Sequence, residues 1–360
     1  MAMDKQKIRV GIIRCDLHGI YYANVMQAHD PFVLRDTKCG MGSYYYFYSQ
    51  YNDPERMTLS SSAGTAAGYV TPIPMVEGFE VTRVWDADRQ LAQNMTKIYN
   101  SRPAVCDTFE EVSDDVDLVL IANCNFEGDD HLELASPGIA KGVPTFLDKP
   151  FAFELSDARA LVDLAQTHQV PIMSLSVMRE LPQATLFRNR FVELNHPTFG
   201  TIKVGAEPPD RDNLYPSNPG LYLLAGLVHG ISLAQHLFGA GVESVEAMGG
   251  DKMPSILHLD YGGKPGRPES GVVINAGVGP TFHCSLYASA YSELGSIHTD
   301  HMSDYEFPWG FVKVVEMIKE MVQTQQPQAP YEEMIECIAI GAAARRSLAE
   351  RRRVYLKELE

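Results

Sequence analysis

A lysine stands between an acid and a proline in Asp148-Lys149-Pro150, directly after the apolar run Val143 to Leu147. Such a run is typical of a buried strand, and open α/β sheets bind ligands at the carboxyl ends of their strands. A partly desolvated lysine beside a carboxylate can hold a substrate hydroxyl and take up its proton. The alternative is an exposed turn lysine, so the surrounding segments decide between the two interpretations.

A histidine elsewhere in the chain offers a second group for proton transfer. His229 lies in the apolar helical pattern Leu221 to Phe238, and histidine exchanges a proton near neutral pH. On such a helix a histidine is often a satisfied core residue, and only its combination with Lys149 favours a catalytic role. His236 follows two turns later without further metal-binding residue types, so we predict no metal site.

Strand-like and helix-like segments alternate through the first half of the chain. The strand-like runs are Ile8 to Ile13, Phe79 to Trp85, Val116 to Ala122, Val143 to Leu147 and Pro171 to Ser176, and the helix-like ones are Leu17 to Ala28, Arg89 to Tyr99, Asp130 to Lys141 and Asp157 to Gln169. This alternation predicts a Rossmann-type, doubly wound parallel sheet in a domain of residues 1–150.

A long segment, residues 30–77, interrupts this pattern and contains five consecutive aromatic residues at 44–48. A loop of this length is usually functional or an interaction element. The aromatic cluster offers rings that stack on a sugar, but a small satellite core and a subunit contact are equally open.

The second half of the chain has a different pattern. Six strand-like runs follow one another between residues 201 and 298, and helical patterns enclose them. This succession predicts an α+β domain over residues 151–360, with an open, mainly antiparallel sheet and a last helix that packs back on the rest.

Composition excludes some classes of partner. The chain has 360 residues, enough for two domains, and a formal net charge of −16. So strong a negative charge argues against nucleic acid and anionic membrane surfaces. The six cysteines show no C-x-x-C pair, and we find neither a signal peptide nor a membrane-length apolar span. We therefore predict a cytoplasmic protein with reduced thiols.

Together these features resemble the glucose–fructose oxidoreductase, inositol dehydrogenase and rhizopine-catabolism (Gfo/Idh/MocA) family of NAD(P)-dependent sugar and polyol oxidoreductases. The Asp-Lys-Pro segment looks like the family's Glu-Lys-Pro motif, and residues 121–125 look like its Ala-Thr-Pro-Asn turn. The resemblance covers nearly the whole chain outside residues 30–77. It implies that Asn123, Asn125, Asp148 and Lys149 contact the cofactor.

The stretch Arg14-Cys15-Asp16-Leu17-His18-Gly19 stands where the family has a G-x-G-x-x-G loop around the cofactor pyrophosphate. Only the third glycine, Gly19, is kept. Asp16 places a carboxyl group where the second glycine lets the backbone approach the pyrophosphate, and Arg14 can offset that charge. The resemblance implies that the cofactor turn consists of Arg14, Asp16, Leu17, His18 and Gly19.

Asp86 ends the second strand, where an acid binds the ribose hydroxyls of NAD and repels the 2′-phosphate of NADP. Its alternative role is to cap the helix that follows. His229 matches the histidine of the family's Asp-x-x-x-His helix, whereas Ala225 replaces the aspartate. Arg179 resembles a family arginine near the substrate, with a surface ion pair as its alternative role.

These residues predict an NAD-dependent oxidoreductase for a secondary hydroxyl of a sugar, polyol or glycoside, with NADP disfavoured. The substrate would lose a hydride to the nicotinamide while Lys149, assisted by His229, takes the hydroxyl proton. A variant of this chemistry uses transient oxidation for elimination or epimerisation. The alternative is a non-catalytic binding or assembly subunit, which the missing glycines favour. The resemblance further implies a homo-oligomer formed through the sheet of the second domain.

Overall fold

The structure, a computed structural model, describes residues 7–36, 75–122, 128–204, 222–249, 254–276, 286–300, 302 and 306–359. Most of the segment 30–77, including its aromatic cluster, lies outside these residues.

Six parallel strands form the first sheet, in the order β3-β2-β1-β4-β5-β6. The strands are β1 (Ile8–Ile13), β2 (Phe79–Trp85), β3 (Ala104–Val105), β4 (Leu118–Ile121), β5 (Thr145–Leu147) and β6 (Ile172–Met173). Their helices are α1 (Leu17–Met26), α2 (Pro31–Asp36), α3 (Arg89–Ile98), α4 (His131–Ala140) and α5 (Leu155–His168). This strand order is that of a doubly wound dinucleotide-binding sheet.

Continuous burial explains why the central strands read as unbroken apolar runs. All four residues of β4 are buried, as are all three of β5, because helices cover both faces of a parallel sheet. Helix α5 begins two residues before the predicted start, with Glu154 at its N-cap.

Seven strands form the second sheet, in the order β12-β11-β7-β10-β9-β8-β13. They are β7 (Phe199–Lys203), β8 (Ser244–Gly249), β9 (Pro254–Asp260), β10 (Val272–Asn275), β11 (Tyr287–Ser292), β12 (Gly295–His298) and β13 (Val354–Tyr355). Only β7 and β10 pair in parallel; the other pairs that the structure describes are antiparallel. The predicted fold class is confirmed, whereas the boundary at residues 150 and 151 stays a prediction.

Helices of the second half join the two sheets. They are α6 (Pro182–Asn189), α7 (Tyr222–Phe238), α8 (Phe307–Thr324) and α9 (Tyr331–Glu350). Phe311 of α8 packs against Tyr21 and Tyr22 of α1, with ring centroids 5.1 and 4.7 Å apart. The last long helix, α9, contacts both α5 and α7. These contacts place α7 and α9 beside the edge where β5 and β6 end.

Candidate active site

The strands of the first sheet end together at one edge. Arg14 follows β1, Asp86 follows β2 and Asp148 follows β5. Strand β1 lies between β2 and β4, which makes its carboxyl end the switch point where open α/β sheets bind ligands. The fold therefore brings the predicted cofactor turn and the predicted lysine to the same edge.

The turn after β1 begins with a residue in the left-handed conformation, although the turn contains a single glycine. Arg14 has φ of 71°, in the left-handed region that glycine usually occupies, and it stands where the fingerprint's first glycine is expected. Gly19 is required, since a Cβ there would lie 2.6 Å from the Arg14 carbonyl oxygen. Helix α1 therefore packs closely on strand β1, as the third glycine of a G-x-G-x-x-G loop allows.

Asp16 caps helix α1. Its Oδ1 accepts a hydrogen bond from the backbone amide of His18 at 3.1 Å, and its side chain is buried. Leu17 opens the helix and packs, partly buried, against the core. One of the amides that would bind a diphosphate is thus occupied by the protein's own carboxylate.

Arg14 is held on the other side of the turn. Its Nη2 lies 2.5 Å from Asp130 Oδ2, and its guanidinium lies 5.5 Å from the centre of the Trp85 ring. The Arg14 guanidinium is thus directed towards Asp130 and Trp85. That Arg14 offsets the negative charge of Asp16 stays a prediction.

Asp86 is buried, and it supports the turn. Its two carboxylate oxygens accept hydrogen bonds from the backbone amides of Cys15 at 2.6 Å and Asp88 at 2.8 Å. Burial raises the pKa of Asp86, while these two amides and the charge of Arg14 act in the opposite direction. The helix-cap interpretation of Asp86 is wrong, because Asp88 is the residue that caps α3. By accepting the Cys15 amide, Asp86 fixes the turn after β1, which is the turn that we predict to contact NAD.

The Asp148 carboxylate joins the cofactor turn to the lysine segment. Oδ2 lies within hydrogen-bonding distance of His18 Nδ1, and Oδ1 accepts a bond from the Tyr22 hydroxyl at 3.3 Å. Burial alone would raise the pKa of Asp148, but His18 and Lys149 hold it below its ordinary value. The contribution of Tyr22 was not visible in the sequence, where this residue has the appearance of a core aromatic.

We predict that Asp148→Asn lowers the free energy of unfolding at neutral pH by about 1–3 kcal/mol, because a charged acceptor of two buried bonds is lost. A carboxyl group whose pKa is depressed in the folded state stabilises above its unfolded pKa. That stability is lost as the pH falls through the folded pKa. The variant should therefore lose less stability than the parent below about pH 4. Urea titrations measure this, with the exposed Asp163→Asn as control; parallel pH profiles of Asp148→Asn and the parent would contradict it.

Lys149 and His229, from different halves of the chain, are connected through Ser176. Lys149 is half-buried, follows β5 and lines a cavity together with Ser176, which lies just after β6. The Ser176 hydroxyl lies 2.7 Å from Nδ1 of the buried His229. Ser176 Oγ also accepts a bond from the Met178 amide at 3.2 Å. Ser176 is therefore a residue that sequence reasoning missed, and it links the two predicted groups.

Arg179 lines the same cavity. Its Nε lies 3.1 Å from Glu180 and its Nη1 3.5 Å from Glu333, and 14% of its side chain is exposed. The alternative role predicted for Arg179 was a surface ion pair. Arg179 does form ion pairs, but they are largely buried. A substrate contact by Arg179 stays a prediction.

Several predicted residues lie outside the described residues: Asn123, Asn125, the aromatic cluster at 44–48 and the side chain of Ala225. Within the described ranges, no group of three or more His, Cys, Asp and Glu side chains is arranged to hold a metal ion. None of the helices described there is long and apolar enough to cross a membrane.

Comparison with known proteins supports the same class. Residues 62–175 match the GFO_IDH_MocA family, described as an oxidoreductase family with an NAD-binding Rossmann fold. This match confirms the family resemblance. The NAD-binding fold in the family's description agrees with our prediction of NAD as the cofactor. No curated protein matches the sequence.

The fold is similar to that of several solved dehydrogenases. A probable dehydrogenase from Thermotoga maritima shares 15% identity, with 98% of this chain and 100% of that chain covered and a TM-score of 0.70. Myo-inositol 2-dehydrogenase from Lactobacillus plantarum shares 10%, with 97% and 99% covered and a TM-score of 0.71. Scyllo-inositol dehydrogenase from Lactobacillus casei, solved with NAD(H) and scyllo-inositol, shares 10%, with 98% and 99% covered and a TM-score of 0.69. At these identities the likeness establishes the fold.

Proposed function

We propose that this protein oxidises a secondary hydroxyl of a sugar, polyol or glycoside with NAD, since residues 62–175 match a family described as oxidoreductases with an NAD-binding Rossmann fold. The observation that carries the proposal is the shared surroundings of Lys149 and His229. Lys149 lines a cavity with Ser176, and Ser176 binds His229. A basic amine and an imidazole at the carboxyl edge of a doubly wound sheet are suited to moving a hydroxyl proton.

The backbone of the turn after β1 suits NAD binding, but one charged side chain in the turn does not. The left-handed Arg14, the close approach at Gly19 and the acid Asp86 after β2 reproduce the parts that hold a dinucleotide. Asp16 is the departure, because its carboxylate lies at the helix end that would face the diphosphate. Asp86 also disfavours a 2′-phosphate, so we assign NAD rather than NADP.

The hydrogen bonds of Ser176 define a role for His229. Ser176 Oγ accepts the Met178 amide and keeps its own hydroxyl hydrogen, which we assign to a bond with His229 Nδ1. The Nε2 atom of His229 then carries the ring proton and acts as a hydrogen-bond donor. In this arrangement His229 holds the substrate oxygen and Lys149 removes its proton. When bound, NAD supplies the carbon that accepts the hydride.

Dinucleotide binding and a substrate panel test this proposal. We expect NADH to bind the purified protein, as measured by its change in fluorescence, and NADPH to bind at least about tenfold more weakly because of Asp86. We expect NAD⁺ reduction, followed by absorbance, with at least one member of a panel of inositols, aldoses and glycosides. Binding of neither dinucleotide would overturn the proposal and favour a non-catalytic binding subunit.

We further propose that the second sheet mediates homo-oligomer formation. Tyr287 of β11 is 45% exposed and lies opposite the face on which Ala288 and Ala290 are buried. Met248 of β8 is 54% exposed. Apolar side chains that are exposed on a sheet suit a contact between copies of the chain, and light scattering would give the number of subunits.

A further inference from the structure

The cavity beside Lys149 continues away from the sheet edge towards helix α9. The residues that line it include Ser174, Ser176 and Ser232, and Glu333 on α9. The cavity has a volume of about 20 Å³, which is room for a water molecule but not for a sugar ring. A polar cavity of this size next to a proton-transfer group is suited to carrying protons rather than substrate.

Glu333 brings a carboxylate oxygen to this cavity. Its Oε2 is shielded from solvent and accepts no hydrogen bond from the residues that the structure describes. The nearby cation is Arg179, whose Nη1 lies 3.5 Å away. A shielded carboxylate oxygen without a donor is costly, and a water in the adjoining cavity would supply one. The side chain as a whole is 25% exposed, so Glu333 also reaches the protein surface.

We propose that the proton taken up by Lys149 leaves the active site through this cavity to Glu333, which makes Glu333 a positioning residue for proton transfer. The proposal rests on the proposed function. With NAD bound, the nicotinamide would accept the hydride, with its electron pair, from the substrate carbon. The hydroxyl proton converts the Lys149 amine to an ammonium group. The ammonium then gives one proton to the cavity water as that water gives another to Glu333. Release from Glu333 to bulk solvent restores the neutral amine and the carboxylate.

The other ionisable groups around Lys149 are already engaged. Asp148, its neighbour just after β5, accepts bonds from His18 and Tyr22 of α1. His229 of α7 bonds with Ser176. Among the described residues that line the cavity, Glu333 is the one with a carboxylate.

Two further groups from the surrounding elements do not compete. Arg179, after β6, pairs with both Glu180 and Glu333 and stays charged. Burial raises the pKa of the Cys337 thiol on α9 to about 12, so this cavity-lining group stays neutral and supplies no charge.

The first test needs no substrate. The reactivity of Lys149 towards acetic anhydride, followed by peptide mass spectrometry across a pH series, reports the pKa of its amine in the full chain. Removing the carboxylate in Glu333→Gln should lower that pKa by about one unit, because a charge one water away no longer favours the ammonium form. The adjacent, exposed Glu332→Gln is the matched control and should leave it unchanged. Glu333→Asp keeps the charge and should retain most of the parent value.

The second test uses turnover with NAD⁺ and the most active member of the substrate panel. In Glu333→Gln we expect kcat to fall about tenfold or more in dilute buffer, with KM unchanged, and to recover as a small buffer such as imidazole is raised. An unchanged Lys149 pKa in a folded Glu333→Gln, or a loss of kcat that added buffer does not restore, would overturn the inference. Dinucleotide binding would persist in either case, whereas its absence in the parent would instead remove the proposed function.

Discussion

Replacement of Lys149 with alanine is expected to lower kcat/KM for NAD⁺-dependent oxidation by about 10²- to 10⁴-fold, the usual contribution of a positioned acid–base group. Lys149 is half-buried at the carboxyl edge of the sheet and lines the cavity that also contains Ser176. Its loss removes the amine that receives the hydroxyl proton. The loss should fall on kcat, because the backbone that shapes the cofactor turn is untouched.

A lysine elsewhere on the same domain provides the control. Lys141 is exposed and pairs with Asp114 at 2.7 Å, so Lys141→Ala should keep the activity of the parent. Steady-state rates with NAD⁺ and the best panel substrate, together with thermal unfolding of both variants, separate chemistry from folding. A folded Lys149→Ala that retains more than about a tenth of the parent kcat would show that another group receives the proton.

The doubly wound sheet was predictable because the burial of its strands produces apolar runs that can be recognised in short stretches of sequence. Strand β4 is buried on both faces and therefore reads as the continuous apolar run LVLIA at residues 118–122. Lys149 and Asp86 could be placed at one edge of the sheet before any contact was known, because parallel strands end together. The second sheet followed from strand-like runs, most of which succeed one another between residues 244 and 298 without a helical pattern between them.

Partners that are distant in sequence could not be predicted in the same way. His18 and Asp148 are 130 positions apart, and Ser176 and His229 are 53 positions apart. No periodicity or spacing connects such pairs, since their contact depends on how helices pack on the finished sheet. The sequence also does not show that Asp88 caps α3 whereas Asp86 binds the turn after β1, because both acids follow the same strand.

Replacement of Asp16 with glycine is expected to tighten NAD⁺ binding by about tenfold or more. The Asp16 carboxylate accepts the His18 amide at the start of α1, so it occupies a donor and adds a negative charge where a diphosphate would lie. Removing a like charge at such a partly desolvated position is worth about 1–2 kcal/mol, which is roughly tenfold in affinity. The cost to helix α1 should be small, because glycine is itself a tolerated N-cap residue.

Isothermal titration with NAD⁺ measures this effect, and Asp16→Asn separates its two causes. Asparagine keeps a side-chain oxygen that can cap the His18 amide but carries no charge. If repulsion dominates, Asn and Gly should tighten binding by similar factors; if access to the amide dominates, only Gly should. Weaker binding by both variants would reverse the interpretation, since it would mean that the Asp16 carboxylate contacts the dinucleotide directly, as a ribose-binding acid does. The turn would then hold its cofactor through two acids, Asp16 and Asp86, rather than through the amides of α1.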